Sequence, residues 1–517
     1  MPPDQLFIGI DSGTQGTKIV ILSRAQRCLK TQGYATHHII ETSLGGREQD
    51  PRWWTAACEQ ALHEALRSAD IDRTRVRAIG VSGQQHGLVP LDARGDVIRY
   101  AKLWCDTETA LQCRVLTERV GNEAAVLAAI GNRITAGYTA SKVLWLKEHE
   151  PQNYARLAKI LLPHDYLNYW LTGACRMEYG DASGTAFFDI RRRRWSEILL
   201  NAIDDSGRLQ ACLPEMTAPD EPCGVLRPEL SEAWGLPRDV LVSAGGGDNM
   251  MAAIGTGNVR PGLVTASLGT SGTIYAFSAT PIVDPQGELA AFCSSTGGWL
   301  PLVCTMNVTV ATEQVRTLLG LDLEGLNRGI ELSPPGADGL LLVPFFNGER
   351  TPDLPMAKAS LTGMTPLNLT PANLARAGME GATLGLRYGL SVMERNGIQA
   401  EEIRLVGGGA KSPVWRQMAA DMFAVPVVTP VETEAGALGA ALQAMWCYRS
   451  QREGRIGIEE ICDDFIGLAQ NTRAEPEAQT AVEYKALYDR YLDTVNVLAP
   501  LNSPGDVSAR PRAQERE

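Results

Sequence analysis

One short stretch near the start of the chain constrains the fold more than any other part of its 517 residues. Residues 6–22 read LFIGIDSGTQGTKIVIL: an apolar run ends on Asp11, a turn rich in Gly and Thr follows, and a second apolar run begins after Lys18. Two β-branched runs joined by such a turn predict a β-hairpin whose backbone N–H groups and hydroxyls can receive an anion. Taken alone, the pattern is equally typical of an ordinary hairpin with a solvated aspartate.

The same pattern returns in the second half of the chain. Residues 263–277 read LVTASLGTSGTIYAF, in which GTSGT at 269–273 matches GTQGT at 13–17. Ser267 takes the place that Asp11 has in the first copy. A near-duplicate turn in each half predicts two similar domains, each with a phosphate-binding hairpin. Because only the first copy keeps the acid, we expect the two domains to have different roles.

The remaining pattern predicts an α/β protein of two domains. Apolar runs predict a third strand over 28–40, a strand over 76–81 and a further hairpin formed by 89–92 and 97–100. Between them, Asp50 followed by Pro51 predicts the start of a helix. Strands interleaved with helices indicate mixed sheets covered by helices. The chain is too long to fold around a single hydrophobic core, so two domains are expected.

The chain is predicted to consist of two domains and a tail. Residues 1–257 form the N-terminal domain, residues 258–500 the C-terminal domain, and residues 501–517, which are polar with Pro and Gly, a disordered tail.

Charge and cysteine usage exclude several classes of protein. A net charge of −12 argues against a nucleic-acid binder, which needs a basic face. The N-terminal MPPDQLF lacks the basic and apolar regions of a signal peptide, and no apolar run approaches the ~20 residues of a membrane span. The eleven cysteines include no C-x-x-C pair and the six histidines no H-x-x-x-H pair, which is typical of reduced thiols in a cytoplasmic protein without structural zinc.

Two glycine-containing loops carry candidate catalytic and sugar-binding residues. The loop GGGDN places Asp248 after three glycines at a predicted strand end, where a carboxylate can take a proton from a hydroxyl as general base. An N-cap or turn aspartate is the commoner explanation of that pattern alone. In GQQHG, His86 beside Gln85 can bind the hydroxyls of a polar ligand, although a core histidine with satisfied nitrogens fits as well.

A third loop, GGGAKS at 407–412, is a near miss for a P-loop. A P-loop requires Gly immediately before its Lys, and here Ala410 occupies that position. The loop instead predicts a glycine turn between a strand and a helix N-terminus, which lets backbone N–H groups approach a nucleotide. A plain tight turn is the alternative.

Together, these segments resemble the FGGY family of carbohydrate kinases. The resemblance runs from Phe7 to Trp446 and rests on the following segments in family order: GIDSGTQGTK, REQDPRWW, GVSGQQHG, GYTASKVLWLKEHEP, GDASGT, AGGGDN, SLGTSGT, PFFNGERTP and GGGAKSPVWRQ. It implies two actin-like, hexokinase-like (ribonuclease H-like) domains with the active site in the cleft between them. It also implies ATP-dependent phosphorylation of a small sugar, with D-xylulose as the expected substrate.

The resemblance also implies roles for individual residues. In the first domain, Asp248 is expected to be the general base with Asn249 beside it, and Gln85 and His86 are expected to contact the ketose. Asp11 is expected to orient Mg²⁺, through water because that ion dehydrates reluctantly. The expected ATP and phosphate contacts are Thr14, Lys18, Gly269, Thr270, Gly408, Gly409, Ala410 and Ser412.

Two alternative functions stay open at the level of sequence. A kinase of this family could act on another ketopentose, a polyol or a sugar acid, because the motifs define the phosphoryl-transfer residues better than the sugar pocket. A nucleotide-dependent switch shares this architecture, but it has no need of Asp248 or of the Gln85–His86 loop. The expected partners are a free sugar and ATP, and a homodimer is a possible assembly.

Overall fold

The computed structural model describes residues 4–42 and 44–502. The predicted disordered tail, 501–517, lies outside the described residues except for its first two, which end the last helix. Within the described ranges, no helix combines the length and the apolar character that crossing a bilayer requires.

The strands, in chain order, are β1 (Leu6–Ser12), β2 (Gly16–Ser23), β3 (Cys28–Thr36), β4 (Ile40–Glu41), β5 (Arg47–Gln49), β6 (Val76–Gly83), β7 (Val89–Leu91), β8 (Ala101–Lys102), β9 (Lys159–Leu161), β10 (Arg176–Glu178), β11 (Phe188–Asp189), β12 (Arg194–Trp195), β13 (Glu215–Thr217), β14 (Pro222–Val225), β15 (Leu241–Ser243), β16 (Gly246–Gly247), β17 (Leu263–Ser267), β18 (Gly272–Ala276), β19 (Leu302–Thr305), β20 (Leu341–Val343), β21 (Ser360–Thr362), β22 (Glu402–Val406), β23 (Val427–Pro430) and β24 (Leu468–Ala474).

The α-helices are α1 (Pro51–Ala65), α2 (Ala110–Val120), α3 (Glu123–Ile130), α4 (Thr139–His149), α5 (Pro151–Arg156), α6 (Pro163–Thr172), α7 (Tyr179–Ala182), α8 (Glu197–Ile203), α9 (Arg208–Cys212), α10 (Pro228–Trp234), α11 (Asp248–Gly255), α12 (Thr309–Leu318), α13 (Leu323–Glu331), α14 (Pro371–Arg395), α15 (Pro413–Phe423), α16 (Ala435–Arg452), α17 (Ile458–Phe465) and α18 (Ala478–Asn502).

Contacts divide the chain into two compact units, neither of which is one continuous segment. Unit 1 comprises Met1–Pro261, Ala276–Pro301 and Val431–Gly467. Unit 2 comprises Gly262–Tyr275, Leu302–Pro430 and Leu468–Glu517. Each unit contains one large mixed sheet with helices packed against it, as the alternation of strand and helix patterns predicts.

The two sheets have the same strand order, which confirms the duplication predicted from the two turns. In unit 1 the order is β3-β2-β1-β6-β15-β14, and in unit 2 it is β19-β18-β17-β22-β23-β24. In both sheets a run of three consecutive strands is followed by a parallel pair and an antiparallel edge strand. The first turn joins β1 to β2, and its repeat joins β17 to β18.

Local pairing agrees with the sequence in most places and differs in two. The third strand, predicted over 28–40, ends at Thr36. Helix α1 begins at Pro51, and the carboxylate of Asp50 caps it by accepting the Arg52 backbone N–H at 3.0 Å. The hairpin predicted for 89–92 and 97–100 forms only a short pairing: a bridge between Leu91 and Val97, and a bond from the Ile98 N–H to the Pro90 carbonyl at 3.0 Å. The ladder of β7 forms with β9 instead, a partner that lies too far along the chain for local pattern to indicate.

The two faces of the unit 1 sheet are covered in different ways. On one face, α1 buries Trp54 and Leu62 in an apolar cluster that includes Ile8 and Ile21, and each such side chain contributes about 1.5–3 kcal/mol. On the other face, α16 packs against β1 and β6. The two backbones can approach each other there because Gly9 has no side chain. A Cβ added to Gly9 would lie 1.9 Å from the carbonyl oxygen of Ala437.

Candidate active site

The two predicted catalytic acids follow neighbouring strands of unit 1. Strands β1 and β6 run parallel and place Asp11 opposite Ser82. Strand β16 pairs with the same part of β6, opposite Ser82 and Gly83, and Asp248 follows it as the first residue of α11. Because Ser82 already has β1 on one side, β16 lies on the other. Asp11 and Asp248 therefore flank the end of β6.

Asp248 is partly buried and its ionisation is strongly perturbed. Removal from water raises the pKa of Asp248 to about 7, and the charges of Asp11 and Asp181 act in the same direction. Asn249 opposes this shift, because its backbone N–H and its side-chain amide donate to Oδ1 of Asp248 at 2.7 and 3.0 Å. A carboxylate with such a pKa is suited to accept a proton from a hydroxyl near neutral pH.

Asp11 has a different environment. Removal from water raises its pKa, while the hydroxyl of Ser82, which donates to Oδ1 at 2.6 Å, and the charge of Lys18 lower it. Across the hairpin, Lys18 pairs with Asp11 in register, and its ammonium lies 2.5 Å from a carboxylate oxygen of Glu434. The carboxylate of Asp11 thus keeps oxygen lone pairs for a further ligand.

The predicted sugar-contacting residues Gln85, Asp248 and Asn249 form one hydrogen-bonded chain. The amide of Asn249 donates to Oε1 of Gln85 at 3.0 Å as well as to Asp248. The amide nitrogen of Gln85 in turn lies 3.2 Å from the sulfur of Met250, on the next residue of α11. Gln85 and Asn249, which are 164 positions apart in the chain, are thereby brought together beside the general-base candidate.

His86 follows Gln85 and has an unusual backbone. Its φ of +65° lies in the left-handed region, which few non-glycine residues adopt. Its Nδ1 lies 3.0 Å from the carbonyl oxygen of Gly184, and because a carbonyl can only accept, Nδ1 carries the hydrogen. The imidazole ring packs between Tyr138 and Phe292, with ring centroids 4.5 and 5.7 Å away.

The turn after β1 is held from several sides. The backbone N–H of Gly13 donates to the carbonyl of Gly16 at 3.0 Å and closes the turn. The hydroxyl of Thr14 accepts the indole N–H of Trp104 at 3.0 Å, and the Thr14 carbonyl accepts from the amide of Gln49 at 2.8 Å. Thr14 and Lys18 therefore lie on the same hairpin as Asp11, at defined positions.

In unit 2, the second turn and the GGGAKS loop lie against each other. The backbone N–H of Gly409 donates to the carbonyl of Leu268, immediately before Gly269, at 3.0 Å. A Cβ added to Gly407, whose φ is +88°, would lie 2.8 Å from the carbonyl carbon of Leu268. Glycine is therefore required for this approach. The carbonyls of Gly269 and Thr270 accept from the start of α12 at 2.9 and 3.2 Å.

The rest of the loop leads into α15. Gly408–Lys411 form a short 3-10 turn, in which Gly408 is exposed and a Cβ on it would meet nothing within 4 Å. Ser412 caps α15 by accepting the backbone N–H of Trp415 at 3.2 Å, and its hydroxyl bonds Asn327 at 3.0 Å. Of the six predicted nucleotide contacts of this unit, Thr270 and Gly408 are exposed, whereas Gly409 and Ala410 are buried.

Comparison with known proteins identifies the family. Sequence models of the FGGY family of carbohydrate kinases match residues 6–255 for its N-terminal domain and residues 264–448 for its C-terminal domain. The chain belongs to the FGGY family. It is therefore a carbohydrate kinase, and its phosphoryl donor is ATP.

Curated relatives and solved structures agree with this FGGY assignment. The chain is 46% identical to a xylulose kinase of Haemophilus influenzae over 95% of its own length and 100% of the relative's. It is 39% identical to one of Streptomyces coelicolor, over 96% of the chain and 97% of that protein. A solved kinase of Brucella ovis, described as a xyloylose kinase, has a TM-score of 0.89 at 29% identity and covers 96% of this chain and 100% of its own. The actin-like, ribonuclease H-like fold is thus confirmed.

Sequence reasoning missed several residues around the site of this FGGY kinase. Trp104 contacts Thr14, Ser82 bonds Asp11, and Tyr138 and Phe292 enclose His86. Trp104 lies two residues after β8 and Tyr138 directly precedes α4 within the GYTASK segment, so both lie near recognisable strand and helix ends. Phe292 lies in the segment 276–301, which returns to unit 1, and its neighbours are not visible in local pattern.

Two further clusters of acidic side chains in this kinase already contain a cationic partner. The ammonium of Lys102 lies 3.1 Å from Asp106 and 2.5 Å from Glu108. In the other cluster, His164 hydrogen-bonds Asp181 through Nδ1, and its Nε2 lies 3.1 Å from Asp165. Burial alone would lower the pKa of His164, but the charges of Asp165 and Asp181 outweigh it and raise that pKa to about 9. Each cluster thus contains one cationic side chain that offsets part of its acidic charge.

Proposed function

We propose that this kinase transfers the terminal phosphoryl group of ATP to D-xylulose and produces D-xylulose 5-phosphate. The observation that carries the proposal is the 46% identity, over nearly the full length of both proteins, to a xylulose kinase. The grouping of Gln85, His86, Asp248 and Asn249 at one edge of unit 1 supports it, because a polyhydroxylated sugar requires several polar partners around one base.

Asp248 acts as the general base in this proposal. Both hydrogen bonds from Asn249 go to Oδ1, so Oδ2 is the oxygen that takes the proton. As the O–H bond of the 5-hydroxyl of the sugar breaks, the hydroxyl oxygen forms a bond to the γ-phosphorus of ATP. The bond from the γ-phosphorus to the β-phosphate oxygen breaks, and ADP leaves. A well-placed base typically contributes ~10²–10⁴ in rate.

Gln85 and His86 orient the ketose. His86 carries its hydrogen on Nδ1, so Nε2 is the acceptor for a sugar hydroxyl. Tyr138 and Phe292 fix the plane of the imidazole and give the pocket apolar walls. Gln85 stays bonded to Asn249 and connects sugar recognition with the base.

Asp11 is the residue that we assign to Mg²⁺. A carboxylate that accepts from Ser82 through one oxygen and faces another acid across β6 fits a hard divalent cation and its water shell. Mg²⁺, when bound, spreads the negative charge that develops on the phosphates. Thr14 and Lys18, on the same hairpin, bind the transferred phosphoryl group. To do so, Lys18 gives up its contact with Glu434.

In this proposal residues 1–257 hold the sugar site, to which the segment 276–301 adds Phe292, and the rest of residues 258–500 holds the nucleotide site. Gly269 and Thr270 cradle the phosphates, and the loop 408–412 borders the adenosine through Gly408, Gly409, Ala410 and Ser412. The exposed backbone of Gly408 supports this assignment, because a nucleotide can approach it without meeting a side chain. We also propose a cytoplasmic location, because all eleven cysteines are free thiols and disulfides are rare in that compartment. The homodimer stays a prediction.

A substrate panel tests the proposed function. We expect the purified protein, in an assay coupled to ADP release, to prefer D-xylulose over D-ribulose, L-ribulose, glycerol and gluconate by kcat/KM. Equal use of these acceptors would refute the proposed substrate. Asp248→Asn is expected to fold normally and to lose turnover by ~10²–10⁴, and a wild-type kcat in this variant would refute the assignment of the base.

A further inference from the structure

One lysine next to the sugar-binding loop is completely buried. Lys142 lies on α4 with 0% of its surface exposed. Removal from water is the main cause that lowers its pKa to about 7, so the fold holds a cationic side chain at a site that disfavours the charge. A buried polar group of this kind is retained where its hydrogen bonds serve a purpose that an apolar side chain of the same length cannot.

Its hydrogen bonds go to the backbone of the candidate site. The ammonium of Lys142 donates to the carbonyl oxygen of His86 at 2.8 Å and to that of Gly137 at 2.5 Å. The hydroxyl of Thr139, in the first turn of α4, donates to the same His86 carbonyl at 3.1 Å. One carbonyl oxygen of the loop thus receives two donors from one helix.

The residue that receives these bonds is the one with the strained backbone. His86 has a φ of +65°, and a histidine in the left-handed region needs its surroundings to hold it there. The Tyr138 ring, just before α4, packs on the imidazole with a centroid separation of 4.5 Å. The start of α4 therefore contacts both the backbone and the ring of His86.

We infer that Lys142 is a positioning residue that holds His86 in its left-handed conformation and so sets the affinity for the ketose. The inference rests on the proposed role of His86 in binding the sugar. Without the ammonium, the His86 carbonyl loses its charged donor and retains the weaker Thr139 hydroxyl, and the loop relaxes toward ordinary φ values that turn the imidazole away.

Lys142→Met tests this inference, because methionine keeps the length of the side chain and removes all its N–H donors. We expect KM for D-xylulose to rise about 10- to 100-fold, the range for a lost hydrogen bond from a charged group, with KM for ATP within about twofold of wild type. Lys147→Met is the matched control. Lys147 lies on the same helix and also donates to a carbonyl, that of Ile203 at 3.0 Å, so its variant should keep the wild-type KM for D-xylulose.

A double-mutant cycle separates positioning from general damage to the fold. His86→Gly removes the imidazole and needs no help to adopt the left-handed region. If Lys142 acts through His86, Lys142→Met should change KM for D-xylulose by less than about twofold in the His86→Gly background. Effects that multiply in the double variant would overturn the inference while leaving the role of His86 intact. A wild-type KM for D-xylulose in His86→Gly would overturn both.

A second variant covers the case in which Lys142→Met does not fold, as judged by near-UV circular dichroism. Thr139→Val is isosteric and removes only the other donor to the His86 carbonyl. It should raise KM for D-xylulose about 3- to 10-fold, and the rise should again vanish in the His86→Gly background. An unchanged KM for D-xylulose in a folded Thr139→Val protein would overturn the inference.

Discussion

Asn249→Leu is expected to move the acid limb of the pH–rate profile to higher pH. The variant keeps the backbone N–H bond to Oδ1 of Asp248 at 2.7 Å and loses the side-chain bond at 3.0 Å. That lost bond stabilises the ionised carboxylate, so its removal raises the pKa of Asp248. Because the base must be ionised to act, the pH range of full activity shifts upward.

The size of the shift follows from the strength of one hydrogen bond to a charged group. Such a bond contributes about 1.5–3 kcal/mol, and one pKa unit corresponds to about 1.4 kcal/mol. The pKa of Asp248, about 7 in the wild type, should therefore rise by about 1–2 units. At pH ~7.5 the ionised fraction then falls roughly 3- to 25-fold, and the loss should be recovered as the pH approaches ~9.5.

The measurement is kcat/KM for D-xylulose between pH ~5.5 and ~9.5, with ADP release followed at saturating Mg-ATP. Gln85→Leu is the control, because Gln85 bonds Asn249 but makes no bond to Asp248 in the same chain of contacts. It should raise KM for D-xylulose and leave the acid limb in place. An acid limb in Asn249→Leu within about 0.3 units of wild type would refute Asp248 as the titrating base.

Two further predictions concern packing and the metal. Gly439→Ala should lower the free energy of unfolding by about 1–3 kcal/mol, because its Cβ would lie 1.8 Å from the carbonyl oxygen of Met251. Gly385→Ala, also within a helix but with nothing within 4 Å, should raise it by about 0.5–1 kcal/mol; equal changes in thermal denaturation would contradict this account. Asp11→Asn should weaken the apparent Mg²⁺ affinity at least about tenfold in a metal titration and lower the pKa of Asp248, since the charge of Asp11 raises it; an unchanged Mg²⁺ titration would refute the metal assignment.

The sequence predicts those parts of the fold that depend on neighbouring residues. The GTQGT and GTSGT turns, each flanked by apolar runs, indicate two hairpins, and their repetition implies the matching sheets that the structure contains. The Asp50–Pro51 pair defines the start of α1 for the same reason, because a helix cap is local.

The sequence does not predict contacts between distant segments. The pairing of β7 with β9 and the bond from Asn249 to Gln85 both join residues far apart in the chain, and no local pattern encodes them. The left-handed backbone of His86 is equally invisible, since histidine gives no sign of a positive φ. Motif resemblance nevertheless selected Gln85, His86, Asp248 and Asn249 together, because a family motif carries the long-range geometry that periodicity lacks.

The glycine contacts beneath β1 have a consequence for synthesis. Gly9 packs against the carbonyl of Ala437, and Gly255 against that of Ala435, so this face of unit 1 is covered by α16, a helix that begins 180 residues after α11 ends at Gly255. At a translation rate of about 5–20 residues per second, the nascent sheet waits roughly 10–40 s with the face that binds α16 uncovered. During that interval the exposed face is a surface on which a chaperone can act, and a chain truncated before residue 435 keeps it exposed permanently.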